Sequence, residues 1–466
     1  MRWESIRVFI LLASGAATAA TAGGTDFNDQ LRSQALAGSH AWEILESLTT
    51  TVGARPVGSP AMAHAREWAV AKLTALGFTN VHVEPFTKEN AWVRGPESAY
   101  VVGAVPRRLA LTALGNSVPT PAAGIEAEVA VFPTLWHLTR AAPGSLHGKI
   151  AFVNQPMVRT QNEEGYRTTV RARTEGPSIA ADRGAVAYLT RSITASDAPL
   201  PHTGLTRYSP TGLRIPAAAL AVPDADLVAR LASRGSPVRM RLSLQSTVID
   251  KTDAWNVVGE IKGREFPEQI VLVGGHLDSW DLSESASDDG AGVAITAAAA
   301  ALIGALPRHP RRTIRVVLWG SEETEGSGAA YAAAHQNEVP DIVLAAESDF
   351  GAGRAYRLAL PKVDPADSRV LEMAAALAPL KVIVSPDPAR SGGSDIEALR
   401  VAGVPVASFN QDQTRYFDVH HSANDTLANV DRRDLDQNVA AWALLIYMVA
   451  DSGIDFRAAP SPGAAP

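Results

Sequence analysis

The chain has no cysteine among its 466 residues. Disulfides and thiolate ligands are therefore excluded, and any metal that this chain binds must be held by histidine and carboxylate side chains. The obvious lipid anchor, a cysteine near the N-terminus, is excluded as well. An exported protein without disulfides has to be stabilised by its hydrophobic cores, and a chain of this length can bury large ones.

Excess positive charge and long apolar runs are also lacking. The net charge is −7, whereas a general nucleic-acid-binding protein should be basic, so we expect no nucleic-acid partner. The Ala-rich run at 291–306 ends at Pro307 and is shorter than the roughly 20 apolar residues that span a bilayer, which favours a buried helix. A hydrophobic content of 46% and a charged content of 20% are typical of a globular protein, and the length indicates two or more folded units.

The first 22 residues have the pattern of a signal peptide. Arg2 and Arg7 make its start positive, residues 8–13 form a short apolar run, and residues 17–19 and 20–22 are small-residue cleavage sites. The alternative, a membrane anchor, needs a longer apolar segment. We therefore expect cleavage of residues 1–22, no stable membrane anchor, and export to the periplasm or the extracellular space.

The rest of the chain divides into four segments. Residues 23–115 combine helices with a strand, as at the edge of an α/β layer. Residues 116–246 contain short strands punctuated by proline and glycine, which indicates a separate β-rich insert. Residues 247–456 alternate between strands and helices, and residues 457–466 are predicted to be an unstructured tail.

The predicted fold class is α/β, with a three-layer, mostly parallel sheet covered by helices on both faces. The strands of the second half lack polar alternation, which indicates burial on both faces. The pattern predicts strands at 269–274, 313–319, 342–346 and 404–409, and helices at 291–306, 329–337 and 435–450.

Acidic and imidazole side chains follow the ends of these strands, where ligands bind in open α/β sheets. They are His276, Asp288, Glu322, Glu323, Asp349 and the pair His420 and His421. A lone histidine is usually an ordinary core or surface residue, and paired glutamates usually mark a solvated loop. Clustered acids would repel one another without a cation, however, so their joint occurrence at consecutive strand ends predicts a metal site.

Two zinc ions about 3.5–4 Å apart need a shared carboxylate between them. Asp288 suits this role because it stands at a helix start, where main-chain amides support a carboxylate. We expect His276 and Asp349 to complete one metal, and Glu323 with a histidine of the 420–421 pair to complete the other. In an extended segment these two histidines would point in opposite directions. Three carboxylates leave two divalent ions with a charge of +1, which a bound hydroxide neutralises.

Two neighbouring acids are then free for other tasks. Glu322 can act as the general base that takes a proton from water and passes it to the leaving amine. Asp278 can accept the N–H of His276 and fix the tautomer of that ring; the alternative is an aspartate that caps a loop.

The motif order resembles the co-catalytic zinc exopeptidase family, which includes secreted aminopeptidases, glutamate carboxypeptidase II and carboxypeptidase Q. The resemblance covers residues 253–450 and 53–59. It rests on His-x-Asp, Asp-Asp-Gly, Glu-Glu, Glu-Ser-Asp and His-x-x-x-Asp-Thr, which begin at 276, 288, 322, 347 and 421. The wording at 274–281, 347–349 and 420–422 is most similar to the carboxypeptidase Q branch, although residues 282–286 lack the glycine-rich wording of that branch.

The resemblance implies a secreted hydrolase with two Zn²⁺ per chain, and it selects His421 over His420. The implied ligands are His276, Asp288, Glu323, Asp349 and His421, with Glu322 as the base. The implied substrates are dipeptides or short peptides with free termini, and a homodimer is common in the family. Residues 148–153 and 183–188 resemble the protease-associated domain, a module that lids or sorts substrate in several peptidases.

Further side chains are candidates for roles around the cluster. Arg390 and Arg415 are alternatives for gripping a terminal carboxylate, and Tyr416 is a candidate for stabilising the tetrahedral oxyanion. Ser394 and Asp395 either support the site or cap a helix.

The function expected is that of a zinc-dependent carboxypeptidase or dipeptidase in which a di-zinc-bound hydroxide attacks the peptide. An aminopeptidase with the same site is the first alternative. A glutaminyl cyclase-type acyltransferase would use one zinc ion, and a non-catalytic receptor ectodomain on this fold would have lost ligands. The complete set of ligand types disfavours both.

Overall fold

The computed structural model describes residues 27–457. The predicted signal peptide at 1–22 and residues 458–466 of the predicted tail lie outside the described residues.

The strands of the described chain are numbered in chain order. They are β1 (Thr79–Val93), β2 (Glu97–Val101), β3 (Arg107–Leu109), β4 (Leu111–Ala113), β5 (Ile125–Phe132), β6 (Ile150–Val153), β7 (Ala187–Arg191), β8 (Ala217–Leu220), β9 (Arg239–Leu244), β10 (Thr247–Ile261), β11 (Phe266–His276), β12 (Arg312–Trp319), β13 (Ile342–Glu347), β14 (Ala355–Ala359), β15 (Ile383–Val384) and β16 (Ser408–Gln411).

The α-helices of residues 27–457 are numbered in the same way. They are α1 (Phe27–Ala37), α2 (Ala41–Thr51), α3 (Pro60–Ala75), α4 (Leu135–Thr139), α5 (Glu164–Thr169), α6 (Arg171–Thr174), α7 (Gly176–Asp182), α8 (Val222–Ala232), α9 (Ala291–Gly304), α10 (Ser327–Ala334), α11 (Ser368–Leu377), α12 (Glu397–Val401) and α13 (Arg432–Asp451).

The central sheet carries the predicted strand ends. Its order is β1-β10-β12-β11-β13, with parallel pairs among β12, β11 and β13 and antiparallel pairs that join β1, β10 and β12. The predicted α/β class is confirmed. The sheet is mixed because the long antiparallel pair β1 and β10 forms one of its edges. A separate sheet, β15-β14-β16, lies downstream.

Helices cover both faces of the central sheet, as predicted. Val271 and Val273 of β11 belong to the core cluster that contains α1, α2, α3, α9 and α13. Their neighbours Ile270 and Leu272 belong to the cluster with residues of α10 and α12. Successive side chains of a strand point to opposite faces, so the apolar run of β11 fills two cores at once.

The strand predicted at 404–409 is only partly present. Val406 makes a single parallel bridge with Ala345, and the chain then crosses to the downstream sheet as β16. Pro405 accepts a hydrogen bond from Ala345 but has no N–H to donate, which limits further pairing with β13.

The residues that lie between β1 and β10 in the sequence form a second large sheet. Its order is β3-β2-β9-β5-β6-β7-β8-β4, and α4 to α8 come from the same stretch of chain. The sheet begins at β2, ahead of the predicted boundary at residue 116. We propose that the inserted unit comprises residues 97–244, and we use the name inserted unit for that range.

The apolar segment Ala286–Gly304 is long and apolar enough to cross a membrane, but 94% of its apolar window is buried inside the protein. A core helix has this property, in agreement with the expectation for the Ala-rich run.

Candidate metal centre

Asp288 lies at the centre of the predicted cluster. Its Oδ1 lies 3.2 Å from Nε2 of His276, and its Oδ2 lies 3.1 Å from Nε2 of His421. The two oxygens of one buried carboxylate therefore face two different imidazole rings. This is the arrangement expected of a carboxylate shared by two cations.

One further carboxylate lies on each side of Asp288. Asp349 Oδ1 lies 3.5 Å from Nε2 of His276, and Glu323 Oε2 lies 3.1 Å from Nε2 of His421. The structure thus brings together all five side chains that the sequence analysis named as ligands. The ligand atoms of His276, Asp288 and Asp349 all lie within 4.8 Å of one another, close enough to hold one ion.

His420 does not point away from the cluster, so the expectation from an extended segment was wrong. Its Nε2 lies 3.6 Å from Asp288 Oδ2, and its ring is stacked on that of His421 with centroids 3.6 Å apart. The segment is not extended: it follows a 3-10 turn at Tyr416–Asp418, and His421 has a φ of +60°. His420 therefore places a second imidazole ring near Oδ2 of Asp288, beside that of His421.

Zinc fits the chemistry of these donors, which are imidazole nitrogens and carboxylate oxygens. Asp288 Oδ2 and Glu323 Oε1 are buried and make no hydrogen bond with any residue in 27–457. Although Oδ2 lies close to His421, the contact lacks hydrogen-bond geometry. Buried polar atoms without partners are costly, and a cation between them would remove that cost.

The raised pKa values of two of these acids also favour a cation at this site. Burial raises the pKa of Asp349 and of Glu323 above its ordinary value, and the nearby Asp288 carboxylate adds to both shifts. Carboxylates this close together resist ionisation by themselves. Divalent cations reverse that balance and favour the ionised form.

Asp278 contacts both His276 and the glutamate pair. Its main-chain oxygen lies 3.0 Å from Nδ1 of His276, and its carboxylate oxygen Oδ1 lies 3.6 Å from the same atom. The carboxylate accepts hydrogen bonds from the main-chain N–H groups of Glu322 and Glu323, at 2.9 and 3.3 Å. The main-chain carbonyl oxygen of Asp278 therefore accepts the hydrogen bond from His276, while its side chain holds the loop that carries the two glutamates.

Glu322 lines the cavity next to the cluster. Its side chain makes no hydrogen bond or ion pair with another described residue, which leaves the carboxylate free for chemistry. Burial raises the pKa of Glu322 well above its ordinary value, and the charge of Asp349 adds to the shift.

Two buried aspartates that the sequence analysis did not assign hold the ligand loops. Asp425 accepts hydrogen bonds from the main-chain N–H groups of Ser287 and Asp288, at 2.7 and 3.0 Å. Asp289 accepts from the N–H groups of His276 and Gly292, both at 2.9 Å. Both lie in motifs that carried the family resemblance, so the signal was present, but the role of Asp425 depends on contacts more than a hundred residues away in the sequence.

Arg55 is a third residue near the cluster that the sequence analysis did not assign. It is fully buried below the loop between His276 and Asp288 and donates to the carbonyl oxygens of Leu277, Glu284 and Ser285. The guanidinium fixes this loop and places a positive charge under the acidic cluster. Its only sequence signal was its place in residues 53–59, which the family resemblance covers.

Asp395 caps a helix other than the one that follows it. Its Oδ1 accepts hydrogen bonds from the hydroxyl of Ser327 and the N–H of Gly328 at the start of α10, both at 2.6 Å. Its own N–H donates to Glu347 at 2.9 Å. Burial raises the pKa of Asp395 to about 7. The helix-cap alternative therefore describes Asp395, whereas no comparable contact is seen for Ser394.

The cluster opens into a cavity of about 1120 Å³. Tyr416 and Arg390 line this cavity, whereas Arg415 does not. The side chain of Arg415 is 88% exposed and pairs with Asp418 at 3.2 Å, so the structure separates the two arginine candidates.

Comparison with known proteins identifies the family. A family model described as peptidase family M28 matches residues 256–446. Carboxypeptidase Q of Homo sapiens is 37% identical over 416 residues, which cover 89% of this chain and 86% of that protein. The chain belongs to peptidase family M28. The resemblance drawn from the motifs is thereby confirmed, as is the prediction of a zinc-dependent exopeptidase.

Solved structures agree with this assignment. The crystal structure of a peptidase M28 precursor from Shewanella amazonensis SB2B has a TM-score of 0.90 and 42% identity, and covers 93% of this chain and 98% of that chain. A zinc aminopeptidase from Bacillus subtilis has a TM-score of 0.64 at 19% identity, with 90% and 96% covered, and shares the fold.

The inserted unit contacts the metal centre of this M28 peptidase through His202. The ring is buried, and its Nδ1 lies 2.6 Å from the carbonyl oxygen of His420. Burial lowers the pKa of His202 to about 4, and the proximity of His421 adds to the shift.

We predict that His202 makes the metal-free protein less stable in acid. The unfolded chain takes up a proton below about pH 6.5, whereas the folded protein resists it until about pH 4. The contribution of His202 to the free energy of unfolding is therefore greatest above pH 6.5. It falls by about 3 kcal/mol as the pH drops from about 6.5 to about 4. His202→Asn keeps an N–H near the Nδ1 position and should show a correspondingly smaller loss when urea unfolding is measured at pH 7.5 and 4.5 with chelator.

The matched control is His309→Asn. Nδ1 of His309 also lies 3.0 Å from a carbonyl oxygen, that of Lys262, but the side chain is exposed. This variant should keep the acid sensitivity of the wild type. Equal losses for His202→Asn and the wild type would contradict the role given to His202.

A second prediction concerns Asp288→Asn. The amide cannot supply two anionic oxygens, so binding of both ions should weaken together, and zinc measured by elemental analysis after dialysis should fall well below the wild-type amount. Asp250→Asn, at an exposed position remote from the cluster, should leave the zinc content unchanged. Full zinc occupancy in Asp288→Asn would exclude a bridging role.

Proposed function

We propose that this M28 peptidase hydrolyses dipeptides or short peptides that have a free carboxyl terminus, in the manner of a carboxypeptidase or dipeptidase. The observation that carries the proposal is the Asp288 carboxylate, whose two oxygens face two separate pairs of a histidine and a carboxylate. The proposed ligands of two Zn²⁺ are His276, Asp288, Asp349, Glu323 and His421. A single-zinc acyltransferase of the glutaminyl cyclase type would not need this set.

Glu322 is the proposed general base. When bound, zinc polarises a peptide carbonyl and makes a water molecule easier to deprotonate. The raised pKa of Glu322 suits a group that accepts a proton from water and returns it to the leaving amine. Asp278 holds the main chain of Glu322 and Glu323 and so fixes the base relative to a neighbouring ligand.

Tyr416 is the proposed donor to the tetrahedral oxyanion. It lines the same cavity as Glu322. Burial raises the pKa of Tyr416 well above its ordinary value, and the charges of Asp288 and Asp349 add to the shift. The phenol therefore keeps its proton at neutral pH and can donate a hydrogen bond.

Arg390 is the proposed partner of the substrate carboxylate. It lines the cavity, and its guanidinium makes no ion pair with another residue of the described chain, whereas Arg171, Arg207 and Arg357 of the same wall each pair with an acid. A free guanidinium on a cavity wall is suited to a peptide carboxylate.

The proposal also includes three properties of the whole protein: it is exported, it binds two zinc ions per chain, and it forms a homodimer. Export is supported by the signal-peptide pattern of residues 1–22, which predicts a periplasmic or extracellular mature protein. The homodimer is supported by the family resemblance alone. Elemental analysis and analytical ultracentrifugation of the purified protein test these two numbers.

Glu322→Gln should lower kcat by roughly two to four orders of magnitude, because it removes the acceptor for the proton of water. Zinc content should stay at the wild-type amount. The matched control is Glu325→Gln in the same loop, where the side chain is 57% exposed and pairs with Arg207. Near-normal turnover by Glu322→Gln would remove Glu322 from the mechanism.

Blocked dipeptides test which terminus is read. If the carboxylate is recognised, C-amidation should abolish hydrolysis and N-acetylation should not. Arg390→Gln should raise KM for free dipeptides by about tenfold, as expected for the loss of one charged hydrogen bond. Arg415→Gln, outside the cavity, should leave KM unchanged. Loss of hydrolysis on N-acetylation alone would instead indicate an aminopeptidase.

A further inference from the structure

The segment that carries His421 is hydrogen-bonded to the inserted unit. The N–H of Thr203 donates to the carbonyl oxygen of His421 at 2.9 Å, and the carbonyl oxygen of Thr203 lies 3.3 Å from Nδ1 of the same residue. His202 makes the parallel contact with the carbonyl oxygen of His420. Residues 202 and 203 therefore contact the main chain of both histidines and the ring of His421.

Arg173 holds the Thr203 carbonyl in place. Its side chain is buried, and Nη1 donates to the Thr203 oxygen at 3.2 Å while lying 3.4 Å from Nδ1 of His421. Nη2 donates to the hydroxyl of Tyr166 at 2.8 Å. Arginine has a planar fork of donors, so one side chain can fix two acceptors at once.

Tyr166 extends this contact to the other side of the histidine segment. Its ring is stacked on Phe417 with centroids 4.6 Å apart and meets the edge of His420 at 5.2 Å. The guanidinium of Arg173 therefore connects the carbonyl behind His421 with the aromatic rings beside His420. All of these atoms except those of residues 417–421 belong to the inserted unit.

Gly204 shows how closely the two parts approach. A Cβ at this position would lie 2.3 Å from Nη1 of Arg173 and 2.6 Å from Nδ1 of His421, and the φ of +128° is one that other residues rarely adopt. Only a glycine lets the backbone pass so near both groups. Any larger residue must displace the arginine, the histidine or both.

Trp280 provides a second connection from the other ligand loop. It lies between His276 and Asp288 in sequence but packs in the core of the inserted unit, with its ring 6.1 Å from that of Trp92. A Cβ on Gly115 would lie 2.1 Å from this indole, so the inserted unit leaves a space for it. The Trp280 ring also meets that of His421 at 5.8 Å.

We propose that the inserted unit is a structural part of the metal centre, and that Arg173, Thr203 and Gly204 position His421 for metal binding. The proposal rests on His421 being a ligand, as put forward under the proposed function. When Nε2 holds a metal, Nδ1 must carry the proton, and the Thr203 carbonyl is the acceptor beside it. Arg173 is a positioning residue, since it contacts the ligand and not the reacting atoms.

The test measures zinc binding rather than activity alone. Arg173→Met should weaken the affinity for one of the two zinc ions by about 10- to 100-fold, the range for loss of a group that orients a ligand. Zinc is titrated against a chromogenic chelator, and cobalt-substituted protein reports the ligand geometry by its visible absorption. Arg173→Lys restores the charge but not the fork and should be intermediate. kcat should fall more than KM rises.

Two milder variants keep the test valid if Arg173→Met does not fold. Tyr166→Phe removes one acceptor of the guanidinium and retains the ring stacking, so it should weaken zinc binding less. Gly204→Ala leaves every polar group in place but displaces His421 and should weaken zinc binding like Arg173→Met. Gly38→Ala has nearly the same φ, +127°, and open space around it, and it controls for backbone strain. Arg171→Met, exposed on the same helix as Arg173, controls for loss of charge.

His421→Ala separates this inference from the proposed function. If His421→Ala keeps two zinc ions at full affinity, the ligand assignment and this inference both fail. If His421→Ala loses one ion while Arg173→Met and Gly204→Ala bind two with wild-type affinity and an unchanged cobalt spectrum, only this inference fails. Weakened binding in all three, with Gly38→Ala and Arg171→Met unchanged, supports it.

Discussion

The structure depends on the placement of several carboxylates around one buried aspartate. Asp288 has an oxygen 3.2 Å from one histidine and another 3.1 Å from a second, with Asp349 and Glu323 on either side. Buried and this close together, these negative charges are unfavourable without cations. Zinc at the proposed ligands would offset that cost, and zinc-dependent peptidase chemistry is the activity of family M28.

Much of the surrounding structure holds this unfavourable cluster in place. Arg55 donates to the loop between His276 and Asp288, Asp425 accepts from the main chain at Asp288, and Asp278 accepts from the loop with the two glutamates. Each of these contacts uses a main-chain group as partner. The backbone around the cluster is therefore held by the protein's own hydrogen bonds, which is what a preorganised catalytic site requires.

The inserted unit contributes to the same task from the opposite side. The central sheet supplies His276, the two glutamates and Asp349 from the ends of its parallel strands, but the histidine pair comes from a long irregular loop. Among the described residues, no strand is formed between β16 and α13. Arg173, Thr203 and His202 contact this loop instead, so a unit that resembles an accessory module is connected to the proposed ligand His421.

The amino-acid sequence by itself determined the α/β class, the three parallel strands of the central sheet and the residue types of the proposed ligands. His276, Glu323 and Asp349 could be named because the carboxyl ends of neighbouring parallel strands meet at one edge of a sheet. The sequence could not orient His420, since the left-handed backbone of the next residue depends on the turn it occupies. Nor could it assign Asp425, whose partners Ser287 and Asp288 lie more than a hundred residues away. Arg55 and Arg173 also escaped it, because each combines near partners with a distant one. Such contacts are decided by how the sheets pack together, and only the tertiary structure contains that information.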